Sequence, residues 1–233
     1  MSNWPTLMQW WQADAALPAL WVTRWSVAGS WALVLAALAC HWTRARSLRT
    51  SVVVAALLVT WTMLPVAGAA GRVLGLAFQA PSLLTLAWST AVVARRLRLT
   101  RSAWNPVPTW LVSTLCVLGW VLLLDTFALT PTSVYAWGFG VPVLLGSGVL
   151  MVVVIVAACQ QQSRDSAWVV LGCLGVYALT RLPTGNVWDA LLDPWLWLIL
   201  QVRLLRAGVM AWRARAATRA AAANAPVATD SST

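Results

Sequence analysis

Neither lysine nor glutamate occurs in the chain, histidine occurs once, as His41, and charged residues make up only 9% of it. Each scarcity removes a class of chemistry. Without lysine there is no amine to form a retinal Schiff base, and one histidine cannot supply both axial ligands of a bis-histidine haem. No Gly-x-Ser-x-Gly or comparable nucleophile turn accompanies His41. Placed beside Cys40 and Trp42, it reads as an interfacial side chain. Cysteine is also sparse. Cys40, Cys116, Cys159 and Cys173 all fall in apolar segments rather than in loops at metal-ligand spacing. Each is read as a small hydrophobe facing a neighbouring helix, with no disulfide, metal site or cofactor expected.

What the chain does have is apolar mass. Its 233 residues are 61% hydrophobic, with a mean hydropathy of +0.75, whereas a soluble domain carries roughly a quarter charged residues. A soluble core of this size cannot hide that surface. Lipid can, given about 20 mostly apolar residues per spanning helix. The expected fold is therefore all-α: a polytopic integral membrane protein of about seven transmembrane helices.

The net charge of +10 comes from 16 arginines against 6 aspartates. The arginines stand in short clusters between apolar runs, the pattern that sets membrane orientation, so no nucleic-acid partner is expected. Arginine-only, alanine-rich usage suggests a GC-rich bacterial genome and hence a bacterial inner membrane.

Residues 1–20 lack the basic n-region of a cleaved signal peptide. Trp4, Trp10 and Trp11 make them an interfacial, Trp-rich segment. A transmembrane bundle is expected over 21–207, with spans near Trp21–Trp42, Ser51–Ala70, Val73–Ala94, Pro106–Leu124, Tyr135–Ala158, Ser166–Leu182 and Val187–Leu205. Residues 208–233 read as a basic Ala/Arg helix fading into a disordered tail. Thirteen of the 16 arginines then share one side, leaving only Arg24, Arg72 and Arg181 on the other. That bias puts the N-terminus outside and the C-terminus in the cytoplasm.

Gly71-x-x-x-Gly75 and the glycines at 138, 140, 146 and 148 are read as close-packing positions. Pro81, between Gln79 and Ser82, is the expected kink that opens a polar notch. Most of the 18 tryptophans fall at span ends, as aromatic belts do, but Trp31, Trp88 and Trp120 lie deeper, where an indole N–H needs a partner.

Opposite charges gather beside apolar spans between Tyr177 and Leu198. The candidate binding residues are Arg72, Gln79, Arg181, Asn186, Asp189 and Asp193, on the expected outer side with Asp14, Arg24, Asp125 and Thr184. Asp189 and Asp193, four apart, are expected on one face of the last span. Two readings compete for them. A carboxylate pair there would bind a cation or split acid and base roles. The favoured alternative has both capping the last helix and pairing with Arg181. Arg72 and Arg181 would hold a lipid phosphate or an anionic substrate, or simply anchor the interface.

No residue is assigned as catalytic, and the balance is against an enzyme. The leading expectation is a non-catalytic subunit or scaffold of a membrane complex, its partners being membrane lipids and a membrane protein or a second copy of itself. Alternatives are a small transporter or lipid/anion-binding protein using the outer polar site, and an enzyme acting on a lipid-linked substrate there.

Overall fold

The computed structural model describes residues 19–100, 109–140, 145, 146, 148, 149, 152, 156 and 164–223. Expectations for the interfacial segment with Asp14, for the start of the fourth span, for most of the fifth, for Cys159 and for the tail from 224 onward lie outside the described residues. Among the described residues all regular structure is helical.

Helix α1, Leu20–Trp42, is apolar almost throughout and buries Trp31, Ala32, Ala36, Ala39 and Cys40. Small residues at four-residue spacing let its neighbours approach closely. It packs against α2, Leu48–Met63, α3, Ala70–Phe78, and α4, Leu83–Arg96. Ser47 starts α2 by accepting the Thr50 N–H at 3.1 Å. Leu64, held extended ahead of Pro65, ends it.

A Cβ on Gly71 would stand 2.5 Å from the Thr62 carbonyl oxygen, and one on Gly75 would stand 2.7 Å from Val27. The Gly-x-x-x-Gly spacing therefore does what the sequence suggests: it seats α3 against α1 and the end of α2. A Cβ on Gly146 or Gly148 would meet nothing within 4 Å among the described residues.

The second group of helices comprises α5, Thr109–Thr126, the single turn α6, Val134–Trp137, α7, Arg164–Thr180, α8, Val187–Leu191, and α9, Pro194–Ala223. α9 lies along α5, α8 sits on α7, and α4 touches both α7 and α8. The core occupies that meeting point, with Leu84, Val112, Leu115, Val170, Tyr177 and Leu196 among its buried members. The Trp197 indole donates to the Cys116 carbonyl at 3.1 Å, crossing where Gly119 leaves no side chain in its way. Trp120, inside α5, is half exposed and meets the edge of Trp197.

Among the described residues three helices are long and apolar enough to cross a membrane: α1, α5 and Pro194–Arg219 of α9. The 16 residues of α2 reach about 24 Å at 1.5 Å per residue, short of a hydrocarbon core about 30 Å thick. The expected third span is interrupted between α3 and α4, and the expected last span between α8 and α9. These two interruptions build the site.

Candidate functional site

Pro81 has no backbone N–H and biases the residue before it away from helix, so a helix entering from Ala70 cannot run through it. α3 stops at Phe78. Gln79 follows at φ 59°, ψ −150°, a conformation that suits glycine and costs other residues about 1–3 kcal/mol. Its carbonyl, freed from any helix, accepts the Trp31 indole N–H at 2.7 Å. That gives the deep tryptophan its partner and satisfies the break. Ser82 then opens α4, its hydroxyl accepting the Thr85 N–H at 3.2 Å. The expected kink at Pro81 is a full break.

The second break is at Leu192, extended at φ −142°, ψ 127°. Asp193 is the N-cap of α9 and Pro194 its first residue, a pairing that starts helices because proline's missing N–H is not needed there. Asp193 Oδ1 accepts the Leu196 N–H at 2.8 Å. Its Oδ2 accepts the Ser82 N–H at 2.9 Å and the Thr85 hydroxyl. One buried carboxylate thus closes the starts of both α9 and α4, each a helix end that favours negative charge.

This corrects the expectation that Asp189 and Asp193 share a helix face. The break puts Asp189 in the first turn of α8 and Asp193 at the head of α9. The signal was present in the sequence, since Asp-Pro marks a helix start as well as serving inside a longer apolar run.

Asn186 is fully buried and caps α8 through Oδ1, which accepts the Trp188 N–H at 2.9 Å. Its Nδ2 donates to the Tyr135 carbonyl at 2.9 Å, and the Val187 N–H donates to the Gly138 carbonyl at 2.9 Å. Gly138 is there for space, because a Cβ would overlap the Asn186 amide. Asp189 Oδ2 accepts the Tyr135 hydroxyl at 2.7 Å and the Thr184 hydroxyl at 2.5 Å. Beneath them the buried Tyr177 hydroxyl donates to the Gly185 carbonyl.

These groups border an open cleft of about 570 Å³, lined by Phe78, Gln79, Tyr135, Thr184, Asp189, Asp193, Trp195 and Leu198. Phe78 and Trp195 meet edge to face at 5.1 Å to form its aromatic wall. Of the six residues singled out from the sequence, Gln79, Asp189 and Asp193 line this cleft and Asn186 supports its floor.

The two arginines do not join it. Arg72 lines a separate cavity with Arg24. Arg181 was expected to pair with the aspartates. Its guanidinium instead lies 5.5 Å from the centre of the Tyr177 ring, and no ion pair to Asp189 or Asp193 forms among the described residues. At φ 54° Arg181 turns the chain out of α7, which directs the side chain back along that helix.

Sequence reasoning missed Arg96, read only as an orienting charge. Its Nη2 donates to the carbonyls of Thr43, Arg46 and Ser47 at 3.2, 2.8 and 3.3 Å. Nε and Nη2 both reach the buried Ser51 hydroxyl, at 2.9 and 2.8 Å. The last turn of α4 thereby latches the α1–α2 loop. No local pattern announces this, because every acceptor is at least 45 residues away.

Compared with known protein families, characterised proteins and solved structures, the chain matches none.

Proposed function

We propose that this chain is a multi-pass membrane protein of a bacterial inner membrane, serving as a non-catalytic subunit that docks a membrane partner or a second copy of itself. In this reading seven segments cross the bilayer, with the N-terminus outside and the C-terminus in the cytoplasm. The paired helices α3/α4 and α8/α9 each count as one interrupted crossing.

The observation that carries the proposal is the occupation of Asp193. Its two oxygens accept three hydrogen bonds from the protein itself, and Asp189 is likewise held by Tyr135 and Thr184. Carboxylates spent on joining helices serve architecture. Long apolar faces remain exposed, such as Leu57 and Leu205, as lipid or a partner helix requires.

The test is a tagged pull-down from membranes in mild detergent, with proteins and lipids identified by mass spectrometry. A stoichiometric membrane partner, or a self-associated complex, is the expected result. A monomer that comes down with neither would sink the subunit reading.

A second reading has one specific observation behind it. Gln79 is held in a costly backbone conformation with its side chain exposed, and it lines the cleft beside Asp189. Strain at a solvent-reachable cleft between broken helices is a feature of ligand sites, so a small polar ligand bound there is the alternative. A ligand lost on Thr184→Val or Gln79→Ala, with the protein at normal level in the membrane, would favour it.

A further inference from the structure

We propose that the cavity shared by Arg24 and Arg72 is a binding site for an anionic lipid, taking the phosphodiester of its headgroup between the two guanidinium groups. The cavity encloses about 400 Å³ between the first turns of α1, the end of α2 and α3. This is within the usual range for small-ligand pockets, about 300–1,000 Å³.

Three observations lead there. First, among the described residues its charge has one sign: Arg24 and Arg72 line it, no aspartate does, and neither arginine makes a hydrogen bond or ion pair there. Both side chains are exposed and so within reach of a ligand, and a phosphate oxygen pair matches the planar fork of a guanidinium. Second, the remaining wall is apolar and opens onto lipid-type surface. Leu20 and Leu76 on the rim are 90% and 80% exposed, which provides a path for an acyl chain.

Third, the depth is right. From Arg24 to Thr43, where the Arg96 latch closes the far end of α1, the helix rises about 28 Å at 1.5 Å per residue. That is close to the thickness of a hydrocarbon core, about 30 Å. A latch at one headgroup level places Arg24 at the other. Gly71 and Gly75 let α3 sit directly on α1 and α2, so the backbone positions that carry Arg24 and Arg72 on the two walls of the cavity are fixed by close packing. This site is separate from the cleft at Gln79 and does not depend on either reading of it.

The experiment uses the full chain in phosphatidylcholine nanodiscs with a photoactivatable phosphatidylglycerol, adducts being mapped by peptide mass spectrometry. Adducts are expected within residues 20–28 and 62–76. In Arg24→Gln/Arg72→Gln they should fall about tenfold, the effect of losing about 1.4 kcal/mol of charge-assisted binding. Arg95→Gln/Arg98→Gln, in the last turn of α4 and just beyond it and away from the cavity lining, should leave them unchanged. Thr23→Glu, which places a carboxylate inside the cavity while keeping both arginines, should give the same loss without removing a native cation.

Adducts that persist in both cavity variants would overturn the proposal. So would equal labelling by an uncharged photoactivatable diacylglycerol. Complete displacement by excess inorganic phosphate would show a site for a soluble anion, and would overturn the lipid assignment.

Discussion

At the scale of single residues the consequences concentrate on Asp193 and Gln79. Asp193→Ala leaves the Ser82 and Leu196 N–H groups without their acceptor in a buried place, and is expected to cost about 3 kcal/mol. Asp193→Asn should cost roughly half as much, because its oxygen still caps α9 while its amide faces the Ser82 donor. A thiol-reactive dye in detergent reads both. Cys40, Cys116 and Cys173 are buried and become reactive only as the helices separate. Equal melting of wild type and Asp193→Ala would refute the shared cap. Gln79→Gly should raise stability by about 1 kcal/mol by removing backbone strain. A fall instead would mean that the glutamine side chain makes a stabilising contact.

Single elements owe their positions to contacts made at their ends. α4 is held at one end by the Asp193 carboxylate and at the other by its own Arg96, which reaches four acceptors in and after the α1–α2 loop. Arg96→Ala is expected to cost about 2 kcal/mol. Arg96→Lys should recover less than half of that, because one ammonium cannot span acceptors arranged for a planar fork. The thiol-dye melt measures both, and full rescue by lysine would mean that charge alone suffices.

The breaks that separate α3 from α4 and α8 from α9 differ in how openly the sequence announces them. Pro81, between Gln79 and Ser82, reads as a kink within one span, so the sequence marks the place of the first break though not its extent. Asp193-Pro194 carries an equally good helix-start signal, but an apolar run on both sides makes 187–205 look like one span. Hydropathy averages over about a turn or more and is blind to a single extended residue such as Leu192.

For the whole molecule the testable matter is how the chain lies in a membrane. A reporter active only outside the cytoplasm should work when inserted at Gly68, between α2 and α3, and stay silent after residue 223. Activity at the second position would remove one crossing from the count and reverse the assignment of α9.

All-helical structure and a membrane-type surface were legible from composition alone. In a solvent without hydrogen-bond partners, a chain this apolar satisfies its backbone within each segment. Where that satisfaction fails was legible only in part: Pro81 announced a kink, because proline acts on its immediate neighbours, while the break ahead of Pro194 was hidden in an apolar run. What only the tertiary structure decided is which distant group repairs each failure. Trp31 serves the Gln79 carbonyl from 48 residues away, and Asp193 serves Ser82 from 111 residues away. Periodicity and spacing report on interactions across a few residues. The partner of a buried carboxylate is chosen by how the helices pack, so Asp189, Asp193 and Arg181, neighbours in sequence, end on three separate tasks.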